Sequence, residues 1–386
     1  MSERRVIPNA VPHLAGNEWK YVKECLDTNW ISSAGAFVER FETTVAAYVG
    51  VEHAVATVNG TAALHVALLA AGVGADDEVL VPALTFIATA NAVAYCGAHP
   101  VFMDSETASW GIDPQKVSDF LARECLVKDG RVVNRASGRT VRALLPVHLY
   151  GHPCDLDPLL DLAARYPLAM VEDSAEALGA TYKDRRVGVE GLVGCLSFNG
   201  NKIITSGGGG MILTRDAALA RRARALTTQA RGSALEWIHE EVGFNYRLTN
   251  IHAALGVAQL EQIAGFIEAK RSTAAAYATA LAAVEGVTAF GEAPWARSTY
   301  WMSSVLLDER RCPDVRALVR DLNTAGVQAR PLWRPLHLQP VFQSAQAYRI
   351  EVAEQLYARG VSLPCSVGIT AEERAAVVEA LVARLT

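Results

Sequence analysis

An α/β fold with a mostly parallel central sheet is the class this sequence predicts, from two observations. Between about residues 50 and 215, short β-rich apolar runs alternate with helical stretches. After about residue 250 the texture changes to long Ala/Glu/Arg helices, irregular strands and a last helix. The alternation implies parallel strands buried on both faces by their crossover helices. At 386 residues and 51% hydrophobic, the chain can bury a large core and divide into two closely associated domains. We expect a large domain over 27–250 and a smaller α/β domain over 251–386, completed by 1–26.

The strand runs, in order, are Ala54–Val58, Glu78–Val81, Pro100–Met103, Ala143–Val147, Leu168–Glu172, Cys195–Phe198 and Met211–Thr214. Ala62–Ala71 reads as a helix closed by Gly72. A helix is expected around Asn17 to Leu26, and the last helix opens on a capping box, Thr370-Ala371-Glu372-Glu373. The polar insertion Lys128–Arg139 reads as an exposed hairpin. In such sheets ligands gather beyond the carboxyl ends of the strands, where Gly60, Asp104 and Asp173 fall.

Composition removes several function classes. The net charge of −5 and the scattered basic residues argue against a nucleic-acid surface. No apolar stretch reaches membrane-spanning length, and the first residues lack the apolar core of a signal peptide. Seven dispersed cysteines without a Cys-x-x-Cys pair argue against a metal or iron–sulfur site built on paired cysteines. These features predict a soluble cytoplasmic protein without a metal.

The chemistry centres on Lys202. The run Leu196–Phe198 delivers Asn199-Gly200-Asn201-Lys202, and four glycines, Gly207 to Gly210, follow. Glycines in series let backbone approach a bulky ligand. A confined lysine can lose its proton and form a Schiff base with a carbonyl. Asp173 ends another apolar run 29 residues upstream. A Schiff-base lysine with an acid for a pyridinium nitrogen is the minimal kit for pyridoxal phosphate chemistry. A Walker-type loop fails because Asn201 separates Gly200 from Lys202 and Ile203 follows it. No Gly-x-Gly-x-x-Gly follows an early strand, so the dinucleotide fingerprint fails as well.

Other residues have a plain reading beside a functional one. Gly60-Thr61-Ala62 opens a helix whose N-terminus suits phosphate, although Thr61 alone would serve as a cap. Ser197 offers a second phosphate donor, or is an ordinary polar strand end. Phe86 suits a cofactor ring or simply fills core. Asp173 caps a helix or keeps a pyridine nitrogen protonated. Asn245 alone says only that the chain turns.

Taken together, Gly60–Leu64, Pro82–Asn91, Glu172–Glu176, Ser197–Lys202, the glycine run and Gly243–Asn250 resemble the DegT/DnrJ/EryC1/StrS sugar aminotransferases. These are pyridoxal phosphate enzymes of fold type I, and the likeness runs from Pro8 to the final helix. The resemblance implies that Lys202 bonds the cofactor and Asp173 pairs with its ring nitrogen. It implies that Gly60, Thr61, Ala62 and Ser197 hold the phosphate, with Phe86 and Ala175 on the two ring faces. Glu176 and Asn199 fall near the ring where many relatives carry other residues. Asn245 would reach the phosphate of a neighbouring subunit, which implies a homodimer with shared sites.

By the same resemblance L-glutamate donates the amino group, pyridoxamine phosphate is the halfway form, and a nucleotide-linked keto-deoxy hexose receives it. The segments Thr28–Gly35 and Arg330–His337 would line the sugar-nucleotide pocket, with Trp30, Ser32, Arg330, Trp333 and His337 as contacts. Each of these equally suits packing between domains. The Ser197–Lys202 motif resembles a subgroup acting at C4 of UDP-linked 4-keto-6-deoxy-N-acetylhexosamines, of bacillosamine and legionaminic acid type. Amination at C3, a cyclitol or other ring ketone, and a non-catalytic regulatory relative are the alternatives.

Overall fold

The computed structural model describes residues 6–385 apart from 233–235 and 237. Its largest sheet contains β1 (His53–Thr57), β2 (Glu78–Pro82), β3 (His99–Met103), β4 (Thr140–Leu144), β5 (Ala169–Asp173), β6 (Val193–Ser197) and β7 (Gly210–Thr214). The order is β1-β7-β6-β5-β4-β2-β3, continued at the edge by the two-residue strand Ala347–Tyr348. All pairings among β2 to β6 are parallel, whereas β7 runs antiparallel to both β1 and β6. Every residue of β2 and β7 is buried, the pattern expected of a sheet covered on two faces.

Strand ends follow local chemistry. The Ala143–Val147 run is strand only to Leu144, and the strand begins earlier, at Thr140. Pro146 has no N–H to offer a ladder, so regular pairing is interrupted there, although its carbonyl still accepts the Asp173 N–H and Val147 bridges to Asp173. The insertion forms an antiparallel hairpin, Cys125–Lys128 with Arg131–Asn134, whose second strand adds to β4.

The crossovers carry α3 (Gly60–Ala70) and its neighbours, after α1 (Glu18–Asp27) and α2 (Ala36–Val49). The α3 N-cap is Asn59, whose side chain accepts the Ala62 N–H at 2.7 Å. Next come α4 (Ala88–Tyr95), α5 (Pro114–Glu124), α6 (Leu156–Arg165) and α7 (Ala217–Thr227). Beyond them lie α8 (Asn250–Leu260) and α9 (Ile263–Leu281). Ala253, Ala254, Val257 and Ala258 of α8, with Phe266 and Ile267 of α9, sit in the same core as α2 and the large sheet.

A second, antiparallel sheet comprises β8 (Val287–Ala289), β9 (Ser303–Leu307), β10 (Arg330–Pro331) and β11 (Gly360–Leu363), in the order β8-β9-β11-β10. It shares a core with α10 (Val315–Thr324) and, beyond α11 (Val352–Arg359), α12 (Ala371–Val382). The Thr370–Glu373 capping box closes reciprocally at the start of α12. Near the N-terminus, Ile7 bonds Gly326 and Gln328, and Asn9 accepts the Cys365 N–H, so this stretch lies along the second sheet. Helix α1 instead leans on α8, with Asn17 and Tyr21 both donating to Glu261. No helix among the described residues is long and apolar enough to cross a membrane.

Candidate active site

The parallel strands deliver the site at their carboxyl ends. Asp173 ends β5 and pairs in register with Cys195 of β6, so Ser197 emerges two residues farther along. The chain after Ser197 turns back to place Lys202, and the N-terminus of α3 faces the same space. The result is a cleft of about 730 Å³ beyond the carboxyl ends of the central strands. Its lining includes Gly60, Thr61, Phe86, Asp173, Ala175, Glu176, Ser197, Asn199 and Lys202, with Arg330 and Trp333 approaching from the second sheet.

Asp173 is buried and held by two donors. Thr89 Oγ1 donates to Oδ2 at 2.8 Å, and the Ala175 N–H donates to Oδ1 at 3.1 Å. Burial pushes its carboxyl above the ordinary aspartate range, against the pull of Thr89 and of the Lys202 charge. It makes no ion pair among the described residues. Behind it, Glu172 accepts from His148 Nε2 at 3.0 Å and from the backbone of Gly188, Glu190 and Gly191. Burial opposes the Glu172 charge, but His148 and these donors outweigh it and hold the carboxyl below its usual range. His148 Nδ1 accepts the Cys154 N–H, which leaves the proton on the nitrogen facing Glu172.

Lys202 Nζ lies 3.3 Å from Glu176 Oε1 and 4.0 Å from the centroid of the Trp301 ring. Glu176 Oε2 accepts the Tyr150 N–H at 2.8 Å. Burial pushes Glu176 up to about 7, against the neighbouring Lys202 charge. Trp301 is pinned in turn, its Nε1–H donating to Asn201 O at 2.6 Å. Tyr150, Trp301 and Trp333 form an aromatic cluster with centroids 5.0–6.2 Å apart. Phe86 is 52% exposed although its ring touches Trp333, so one face stays open to the cleft.

These residues fit pyridoxal phosphate. A buried carboxylate without an ionic partner suits a pyridinium N–H. The first turn of α3, beside the Thr61 and Ser197 hydroxyls, suits a phosphate. Gly60 is required there, because a Cβ would stand 2.7 Å from Ser197 Cβ.

Five expected residues lie outside the cleft lining. The Ala62 N–H is already taken by Asn59, so this residue is buried helix rather than an open donor. His337 turns away, its Nε2 bonded to Glu354 at 2.9 Å. Asn245 is exposed, on a segment bridged to Thr228. Trp30 and Ser32 are exposed too, because Asn250 ties their carbonyls to the start of α8, away from this cleft.

Sequence reasoning missed Tyr150, Trp301 and Asn9, which line the cleft from connections with no motif of their own. Thr89 was within sight, since it falls in the Pro82–Asn91 segment.

A family model described as the DegT/DnrJ/EryC1/StrS aminotransferase family matches residues 12–382. The chain is 42% identical to a GDP-perosamine synthase of Caulobacter vibrioides, over 99% of each chain. It is 39% identical to a GDP-perosamine synthase of Escherichia coli O157:H7, over 96% of each. The structure superposes on the aminotransferase TlmJ from Streptoalloteichus hindustanus with a TM-score of 0.89 and 27% identity, over 98% of this chain and 99% of that one. The chain belongs to the DegT/DnrJ/EryC1/StrS family of pyridoxal phosphate-dependent sugar aminotransferases, with their fold type I architecture.

Proposed function

We propose that this chain moves an amino group from L-glutamate to C4 of a nucleotide-linked 4-keto-6-deoxyhexose. The observation that carries the reading is the convergence of Lys202 and an ionically unpaired, buried Asp173 on one cleft walled by aromatic residues. Pyridoxal phosphate, when bound, supplies a carbonyl that takes up the amino group and a ring that draws off an electron pair.

Asp173, fixed by Thr89 and Ala175, holds the ring N–H. Thr61, Ser197 and the α3 N-terminus hold the phosphate. Lys202, once free, takes the proton from the α-carbon of the donor and later returns one to the sugar carbon, serving both halves from one position. Arg330 and Trp333 stand at the wall formed by the second sheet, where a nucleotide sugar would enter. Asn245, Trp30 and Ser32 serve the neighbouring subunit's site in a homodimer. Their exposure beside the α8 start supports that placement.

GDP-linked sugar is the first substrate class to test, because near-full-length relatives are GDP-perosamine synthases. The Ser197–Lys202 motif favours a second, UDP-4-keto-6-deoxy-N-acetylglucosamine. The deciding experiment is an absorption spectrum of the cofactor-loaded protein, titrated with L-glutamate and then with each keto sugar. Bleaching by glutamate and recovery with one sugar establishes both half-reactions and the substrate. Bleaching without recovery rejects both sugars, and no response to glutamate rejects the donor.

A further inference from the structure

The floor of the cleft holds a carboxylate and an amine in one clamped contact. Glu176 is 4% exposed and the Lys202 side chain 13%, with 3.3 Å between Oε1 and Nζ. The other carboxylate oxygen is fixed by the Tyr150 N–H. Tyr150 sits buried at φ 54, locked by the following Gly151, so this donor cannot swing away. On the far side of the amine, Trp301 is held by its bond to Asn201 O and by Lys270 Nζ, which donates to the Trp301 carbonyl at 3.0 Å. The charged and titratable groups facing Glu176 are Lys202, Asp173 and the Tyr150 phenol. His148 and Glu172 stand behind Asp173 and are paired with each other.

A buried ion pair surrenders the hydration of both partners, whereas a neutral amine hydrogen-bonded to a neutral acid surrenders little. In this setting a proton that passes from the amine to the carboxylate leaves no charge of the pair buried. An amine must also be neutral before it can attack a carbonyl. We propose that Glu176 is the proton acceptor for Lys202. An N–H bond of the ammonium breaks, an O–H bond forms on Glu176, and the amine is left with its electron pair. The nitrogen released from a carbonyl is a neutral amine, able to take the α-proton of the donor. The proton on Glu176 returns to it only when the cleft holds no reacting group. Both charges vanish and reappear together, so no further reactant is needed. The proposal rests on the aminotransferase reading of Lys202, and its significance is that the lysine does not depend on bulk water for activation. Burial places the Glu176 acid close to neutrality, where an acceptor is most effective.

Difference infrared spectroscopy of the cofactor-free chain against Glu176→Gln tests it directly. The expected result is a protonated-carboxyl C=O band, absent from Glu176→Gln, that is present below about pH 7 and lost above it. In Lys202→Met the band should persist to higher pH, because the positive neighbour is gone. No such band, or the same midpoint in Lys202→Met, overturns the proposal. A second readout is the rate at which added pyridoxal phosphate becomes covalently attached to Lys202, followed against pH. Glu176→Gln should load about 10²-fold more slowly at pH 7, the usual scale of one positioned proton acceptor. Glu176→Asp should recover part of the rate. Loading by Glu176→Gln with the unaltered rate and pH profile rejects Glu176 as acceptor and leaves the aminotransferase reading intact. Failure of the unmodified chain to load at all rejects the aminotransferase reading instead.

Discussion

The residues that matter most are acids kept out of water for different ends. Glu172 is surrounded by donors and held ionised, whereas Asp173, next along the strand, has fewer donors and is pushed upward by burial. Alternation along β5 sends these two side chains to opposite faces of the sheet, one into a structural lock and one into the cleft. Asp173→Asn removes the charge but keeps the shape and the Thr89 contact. It should retain cofactor binding while lowering kcat by about 10²- to 10³-fold, the scale for loss of one preorganised electrostatic contact. Parallel measurement of cofactor affinity and turnover checks this, and unchanged turnover would remove Asp173 from the chemistry. Lys202 and Asp173 were legible in the sequence because each ends or follows an apolar run. Trp301 was not, since a tryptophan between Tyr300 and Met302 reads as core until its ring is seen 4.0 Å from the lysine.

At the scale of elements, the site depends on connections more than on the strands themselves. The turn Leu149–Gly151 crosses from β4 toward α6 with Tyr150 at φ 54 and Gly151 at φ 88. A Cβ on Gly151 would stand 2.2 Å from Thr299 Oγ1 and 3.0 Å from the Trp301 backbone nitrogen. Only glycine satisfies both the left-handed backbone and this close approach. Gly151→Ala should therefore cost more than about 1 kcal/mol, the strain of a side chain in a left-handed position, and loosen the Tyr150–Glu176 bond. Thermal unfolding combined with the infrared titration of Glu176 measures both effects. The run before Pro146 was readable as a strand, but its start at Thr140 was not. That start is decided by pairing with β2 and with the hairpin ahead of it, which are partners from elsewhere in the chain.

For the whole molecule, the question is how one chain's exposed residues relate to another chain's cleft. Asn245, Trp30 and Ser32 are exposed, while Lys202 and Asp173 face the cleft of their own chain. If Asn245 completes the neighbouring site, two defective chains can rescue each other. Lys202→Ala and Asn245→Ala subunits, unfolded together and refolded as a mixture, would form dimers with one doubly damaged site and one intact site. With random pairing, about a quarter of all sites should be intact, since half of two-fold dimers are mixed. Recovery near that fraction, measured as turnover against each variant refolded alone, supports sites shared between subunits. No recovery would place Asn245 in its own subunit's chemistry or outside it.

Local composition and order were enough to determine the α/β class, the sheet-forming runs, the family, and the lysine and aspartate at its centre. Those features are written in short stretches, because strand burial, turn glycines and a lysine beside a glycine run are local properties. Tertiary structure alone decided that β7 runs against its neighbours, that the Asn59 side chain accepts the Ala62 N–H, and that His337 turns to Glu354. It also joined Glu176, Tyr150 and Trp301 around one amine. Those residues come from three connections between positions 150 and 301, and carry no common pattern along the chain. Their meeting is set by how the second sheet closes over the carboxyl ends of the first, and by the burial that results.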